Sequence, residues 1–395
     1  MSEVCLKFCE GVVSGNNSSL VVIVPTDFKL KIMACNFQRL AVQRYGEKKI
    51  KILEQINDSV IDFRFVRLKY GLSILDRIFF ITCGTCIECK LQKARDMANR
   101  IMLECKEYND NWGVTLTYDD DHLPYGKTVL TGDGEYKKYP TLVPEHLSKF
   151  NKALRQIMFR RFGHLGIKFY GAGEYGSEKA RSHLHFIYMN LPLPADDVYL
   201  CKGEFSDTGE QLYGSHICDK AWSYVVKEYI KIGKRGKLLK NPKVIKHSIL
   251  RGRVRINPVS WNWACYVARY VMKKQYGQDS AVYETLGIEK EFTRCSTKEG
   301  IGKRFFERNK VELLKTDSIL IKQGDKVVHA SLPPYFLRLA EKEGLDISEL
   351  KQRRQKRAQD ALYFKCSQIS QDYGDYCREM EEQKKNTIKG LPRTL

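Results

Sequence analysis

Long apolar runs are missing from this 395-residue chain: none approaches the ~18 to 20 residues needed to cross a bilayer, which excludes a membrane-spanning role. The opening MSEVCLKFCEG has no signal-peptide core, so the protein is expected to stay where it is made. No internal repeat and no low-complexity segment is present. Carboxylates are in deficit, with 47 Asp plus Glu against 67 Lys plus Arg, a net charge of +20. At a pI near 9.3, that imbalance favours a polyanionic partner, most often nucleic acid. The 13 cysteines are odd in number and scattered, which argues for reduced thiols in a cytosol rather than a disulfide framework. What the chain does have is length enough for a substantial core and two or three units.

From Ser19 to Val66 the pattern reads mainly as strands, with Leu20 to Val24 apolar and Ile61, Phe63 and Phe65 alternating with Asp62 and Arg64. Cys83, Cys86 and Cys89 follow in CGTCIECK, two Cys-x-x-Cys steps in series. They read either as unligated thiols or as most of a structural Zn²⁺ site, for which Cys105 is the fourth candidate. A helix then carries Leu91, Ala94, Ala98 and Ile101 on one stripe, with Lys90, Lys93, Arg95 and Arg100 around it. Trp112 to Tyr118 alternates as a strand, and Asp119, Asp120 and Asp121 end it as turn residues or, less simply, as metal ligands. Pro144 suits the first turn of a helix whose buried stripe is Leu147, Phe150, Leu154 and Ile157.

Ile167 to Glu174 and Ser182 to Met189 read as a hairpin. The period of a strand puts His183 and His185 on one face and Leu184 and Phe186 on the other. Two neutral imidazoles projecting together bind divalent cations, and Glu174 on the neighbouring strand is positioned to add a carboxylate. Ordinary cross-strand residues have the same spacing. Lys227 to Arg255 is densely basic with apolar residues interleaved. It reads as a solvated loop or as a phosphate-binding segment, with Lys234, Arg235, Lys237, Arg251 and Arg253 as DNA contacts.

Ser260 to Lys274, SWNWACYVARYVMKK, is the most informative segment. Ser260 is a natural helix N-cap, and Tyr266 and Tyr270 fall four residues apart on one face. Arg269 and Lys273 each follow a tyrosine by three positions, and Lys274 adds a further cation. Paired phenols beside positive charge suit nucleophilic attack on a phosphodiester; the plainer alternative is two aromatics on a buried stripe. Farther on, Ser318 to His329 reads as a hairpin, and Asp346 with Glu349 as a capping box for a charged helix reaching past Tyr363.

CGTCIECKLQKARD, the GEYG at Gly173 to Gly176, SHLHF, YVARYVMKK and GIGKRFF occur in an order that resembles the HUH (His-hydrophobic-His) rolling-circle replication initiators. The double-tyrosine form is similar to the initiation proteins of Microviridae, particularly the gokushovirus type. The resemblance implies an α+β fold: a central antiparallel sheet flanked by helices, with N-terminal strand-rich and C-terminal helical extensions. It implies units at residues 1–80, 81–280 and 281–395, the middle one being the nuclease. Tyr266 and Tyr270 would be nucleophiles supported by Lys273 and Arg269, and His183, His185 and Glu174 would hold Mg²⁺ or Mn²⁺. The implied activity is metal-dependent nicking of an origin through a 5′-phosphotyrosine link, then religation. Single-stranded DNA, origin duplex and a host helicase would be partners, and the host bacterial cytoplasm the location. A plasmid initiator, relaxase or transposase of the same superfamily, or a non-catalytic single-stranded DNA-binding protein with a Cys-bound zinc, is the alternative.

Overall fold

The structure, a computed structural model, describes residues 39–47, 49–55, 63–176, 179–206, 208–232, 238–273, 281–354 and 373–389. Its first part is a three-stranded antiparallel sheet of β1 (Arg39–Gln43), β2 (Ile50–Gln55) and β3 (Arg77–Ile81), in the order β2-β1-β3. The expected strand through Phe63 and Phe65 is instead helix α1 (Phe63–Tyr70). Val66 is buried there while Phe65 is exposed, so apolar alternation does not describe what this segment packs. Leu20 to Val24 and Ile61 lie outside the described residues.

A seven-stranded antiparallel sheet organises the rest. Chain order runs through α2 (Ile87–Cys105), β4 (Asn111–Leu116), the short pair β5 (Val129–Leu130) and β6 (Tyr136–Lys137), then α3 (Pro144–Phe162). Next come β7 (Lys168–Tyr175), β8 (Ser182–Met189), β9 (Val198–Phe205), β10 (Gln211–Ser215) and α4 (His216–Trp222). After β11 (Ser223–Ile232) and β12 (Leu238–Leu250) follow β13 (Val254–Pro258), α5 (Trp261–Lys273), α6 (Ala281–Thr285) and β14 (Phe292–Cys295). The strand order β14-β7-β8-β4-β13-β10-β9 makes β8 and β4 central neighbours. The fold is α+β, as the resemblance implied.

The two faces of this sheet follow from strand alternation. Val114, Leu116, Leu184, Phe186, Tyr188 and Ile256 point to one side, where α3 and α4 cover them with Leu147, Phe150, Leu154, Ile217 and Trp222. Pro144 opens α3, and Gly163, in the left-handed conformation at φ 63°, closes it by donating its amide to Phe159 O. On the other side Tyr170, Ala172, Ile187 and Met189 meet Ala94, Ala98 and Ile101 of α2 and Trp263, Ala264, Tyr266 and Val267 of α5. Small residues at Ala94, Ala98, Ala264 and Ala268 let α2 and α5 lie together on β7 and β8. The β4, β13, β10 and β9 part of the same face is left uncovered by either helix and opens as a cleft.

The segment expected as a basic loop is ordered differently. β11 and β12 pair antiparallel as a two-stranded ribbon outside the main sheet, Ser223 opposite Leu250 through to Ile232 opposite Leu238, and Val254 to Pro258 joins the sheet itself. Lys234, Arg235, Lys237 and Lys274 lie outside the described residues.

Toward the C-terminus, α7 (Lys303–Thr316), the hairpin β15 (Ser318–Gln323) and β16 (Lys326–Ser331), and α8 (Pro334–Lys342) share a core of Phe306, Leu313, Ile319, Ile321 and Phe336 with Leu103 of α2. Asp346 accepts a hydrogen bond from Ser348 N at 2.9 Å and starts α9 (348–354); the expected continuation past Tyr363 lies outside the described residues. A last helix, α10 (Tyr373–Lys389), packs on α2.

Gly113 fixes how close α5 comes to β4. A Cβ built there would stand 2.2 Å from Nε1 of Trp263 and 2.7 Å from Oδ1 of Asn257, both residues being fully buried. Gly113→Ala is therefore expected to cost roughly 1 to 3 kcal/mol through forced repacking. Chemical denaturation should show it as a lower midpoint, with the tyrosine helix the first element to lose amide protection.

Candidate active site

Strand register assembles the imidazoles and the carboxylate. Glu174 lies directly opposite His183, and His185 lies between Ala172 on β7 and Thr115 on β4. All of these point to the face that α5 partly covers. His185 is fully buried, and its Nε2 is 3.0 Å from Oε1 of Glu174, itself 2% exposed. Its Nδ1 is 3.1 Å from Oγ1 of Thr115. With Glu174 ionised, Nε2–H donates to the carboxylate and Nδ1 accepts from the threonine hydroxyl, which fixes ring and tautomer together. Thr115 has no signal of its own in the sequence; only the register across β4 and β8 reveals it.

His183 stands beside His185 with the rings nearly parallel, at an interplanar angle of 10° and a centroid separation of 6.3 Å. Its Nδ1 is 2.8 Å from the carbonyl of Arg181. A carbonyl only accepts, so Nδ1 carries the proton and Nε2 keeps a free lone pair, the tautomer a metal ligand needs. Burial, reinforced by neighbouring His185, pushes its pKa below the ordinary imidazole value and favours the neutral ring.

These residues fit a divalent cation in chemistry, and two of them in spacing. Adjacent ligands on an octahedral ion at ~2.1 Å stand roughly 3 Å apart, which matches the His185 to Glu174 separation once the proton between them is lost. His183 is not drawn in as closely. Among the described residues, the one trio of His, Cys, Asp or Glu ligand atoms lying within 4.8 Å of one another is Cys83, Cys86 and Cys89. Cys105 is not near that trio: it ends α2, sixteen residues or roughly 24 Å of helix beyond Cys89.

Helix α5 brings its first tyrosine onto the imidazoles. Ser260 Oγ accepts from Trp263 N at 3.0 Å, the cap expected of it. The Tyr266 ring meets His185 edge to face, with centroids 5.7 Å apart at 88°, and stacks on Trp263 at 5.2 Å. Arg269 places its guanidinium carbon 5.9 Å from the Tyr266 ring centre. Tyr266 is 3% exposed, so the structure joins phenol and imidazole but holds this phenol under cover. Trp263 sits over Gly113, which pairs with Ile187, and Tyr266 sits over His185. The axis of α5 thus runs against β8, and its next turn, which bears Tyr270, is carried toward the level of His183 and Glu174. The side chains of Tyr270 and Lys273 lie outside what the structure describes. Cys265, beside Tyr266, is no rival nucleophile, because burial pushes its thiol up to about 12.

An open cleft of about 870 Å³ reaches His183 from the uncovered half of the face. Thr115, Thr117, Arg181, Arg253 and Arg255 line it. Arg181 pairs with Asp120 at 2.6 Å and Arg255 with Glu204 at 2.6 Å, so two guanidinium groups are held in place at the wall. Neither arginine belongs to a motif, and sequence reasoning missed both. Asp119 accepts from His122 N, and Asp120 holds Arg181, which makes this acidic run turn and ion-pair residues. Arg251 lies over the Tyr224 ring at 4.5 Å, at the base of the β11–β12 ribbon.

A family model for replication-associated proteins of the ORF2 type matches residues 111–275, the span that runs from β4 to just past α5. The chain is 32% identical over 319 residues, 80% of its own length and 85% of the relative's, to "Replication-associated protein ORF2" of Spiroplasma virus 4. The chain belongs to the phage replication-associated proteins. Within this family it is also 24% identical over 259 residues to "Replication-associated protein VP4" of Bdellovibrio phage phiMH2K, covering 65% of the chain and 66% of the relative. A 109-residue match at 34% identity links it to "Replication-associated protein ORF4" of Chlamydia phage 1, covering 28% and 24% of the two chains. No solved structure matches it. No helix among the described residues is long and apolar enough to cross a membrane.

Proposed function

We propose that this replication-associated protein is a rolling-circle initiator that nicks one strand of the viral origin by tyrosine transesterification and later religates it. The observation that carries this reading is the packing of Tyr266 against His185, which joins the double-tyrosine helix to the His-x-His strand at the end of a basic cleft. The nuclease unit would run on through β14, since that strand is the edge of the same sheet.

In this reading single-stranded DNA lies in the cleft, with Arg181, Arg253 and Arg255 on its phosphates. A tyrosine Oη gives up its proton and attacks phosphorus in line. The P–O3′ bond breaks, the leaving oxygen takes up a proton as a 3′-OH, and the 5′ phosphate stays on the phenol. An ordinary phenol has pKa ≈ 10, so nearby positive charge is needed to favour phenolate, and Arg269 supplies part of it. His183, His185 and Glu174 would hold Mg²⁺ or Mn²⁺, whose chemistry is to polarise a non-bridging phosphate oxygen. Because Tyr266 is covered and the Tyr270 turn is carried toward the His183 end of the cleft, Tyr270 makes the first cut. Tyr266 takes the second. The link stores the phosphoester, so closure of the circle needs no ATP.

The direct test is an origin-bearing oligonucleotide incubated with the protein and Mn²⁺, then resolved on a denaturing gel. A shortened strand with a free 3′-OH and a protein-linked 5′ fragment are expected; intact DNA under bound protein would leave only a binding module.

The β11–β12 ribbon extends the DNA surface. Lys227 stands directly across from Lys246, both exposed, a like-charge pairing that destabilises an isolated ribbon and that a phosphate would relieve. Replacing both with Gln should weaken binding to all sequences alike. The slope of log K against log salt should shrink by about 0.7 per lost phosphate contact on single strands, measured by fluorescence anisotropy across a salt series.

A further inference from the structure

The three cysteines at the start of α2 form a site that the nicking chemistry does not use. Cys83 Sγ is 3.9 Å from Cys89 Sγ, and with Cys86 Sγ all three lie within 4.8 Å of one another. Gly84 turns the chain at φ 77°, and the amides of Thr85 and Cys86 then point at Cys83 Sγ, 3.4 and 3.2 Å away. Two backbone N–H groups on one sulfur stabilise a thiolate rather than a thiol. Cys86 is the N-cap of a nineteen-residue helix, whose partial positive end favours anionic sulfur. The spacing identifies the metal. Tetrahedral zinc with Zn–S bonds of ~2.3 Å sets its sulfurs roughly 3.8 Å apart. A cubane iron–sulfur cluster binds each cysteine to a different iron and needs them farther apart.

The fourth ligand is found on α10. Glu381 Oε1 accepts from Ile87 N at 2.9 Å, and Lys384 pairs with Glu88. Moving back along α10 from Lys384 to Glu381 moves back along α2 from residue 88 to 87. One more turn, about 6 Å, brings Cys377 to the level of the Cys83–Cys86 loop. Cys377 shares a helical face with Glu381 and is 3% exposed. We propose that Cys83, Cys86 and Cys89 bind one zinc ion as thiolates and that Cys377 closes on it as the fourth, clasping α10 to the helix that packs against the tyrosine helix. Cys377 lies outside the converged trio and joins it as α10 closes on the ion. Binding releases the thiol protons and needs no redox partner.

Full-length protein purified without chelator should carry one zinc per chain by elemental mass spectrometry. Exchange with Co²⁺ should give a thiolate-to-metal charge-transfer band and the visible bands of tetrahedral cobalt, a readout on the unaltered chain that does not depend on any variant folding. Cys83→Ser, Cys89→Ser and Cys377→Ser should each lose stoichiometric zinc, whereas Cys105→Ser should keep it. Chelation should expose residues 373–389 to trypsin. A chain free of zinc and without cobalt–thiolate bands would overturn the site, and iron with sulfide in its place would overturn its identity. Full zinc affinity in Cys377→Ser, or unchanged proteolysis after chelation, would overturn the clasp. None of these readouts is nicking, so the site and the nuclease reading fail separately.

Discussion

Tyr270→Phe should abolish the first nick and the covalent DNA adduct, a loss of about three orders of magnitude or more, while leaving DNA binding within a factor of two or so. Phe keeps the ring and its packing and removes only the nucleophilic oxygen, so any loss reports chemistry and not folding. Tyr266→Phe should behave differently. Its ring, stacked on Trp263 and set edge-on to His185, is preserved, and the first nick should persist. The circular product should disappear, because the second cut has no acceptor. The double variant should do neither. Single-turnover gels that separate nicked, adduct and circular species check all three; an undiminished adduct in the double variant would remove the tyrosines from the chemistry.

His185→Ala should have the second large effect. The side chain is fully buried between Thr115 and Glu174, so its loss leaves a buried carboxylate and a buried hydroxyl without their imidazole partner. Two consequences are separable. Nicking in Mn²⁺ should fall by two or more orders of magnitude, and the thermal midpoint should fall with it. Glu174→Gln separates them further: the amide still accepts from Nε2–H, so stability should be largely kept while cation dependence is lost. Titration of Mn²⁺ followed by electron paramagnetic resonance reads the metal without reference to activity. Full Mn²⁺ affinity in both variants would remove these side chains from the metal site.

The parts of this site that depend on short-range periodicity are legible in the chain. Ser260 caps its helix because a hydroxyl three residues before Trp263 N meets an unpaired amide, and Pro144 starts α3 because it has no amide to lose. His183 and His185 share a face because a strand has period two. What stays hidden depends on register between distant strands. Thr115 looks like any strand threonine until β4 pairs with β8, and Arg255 reaches the cleft only because β13 pairs with β4. The β11–β12 ribbon reads as a loop because its lysines and Pro242 obscure the alternation in each strand; cross-strand pairing, invisible in one segment, orders it. Phe63 and Phe65 mislead in the opposite direction, offering a strand-like alternation where the chain buries Val66 from a helix. Cys105 looks like a fourth zinc ligand only while the length of α2 is left out of account.

Mass-spectrometric mapping of the peptide that stays attached to a 5′ phosphate, after the protein is trapped on origin DNA in Mn²⁺ and digested, tests the central claim most directly. The phosphate should be found on Tyr270 in the first-turnover adduct, with Tyr266 labelled only when a second cut is allowed. A linkage to any residue outside α5, or DNA recovered whole with no linked peptide, would contradict it.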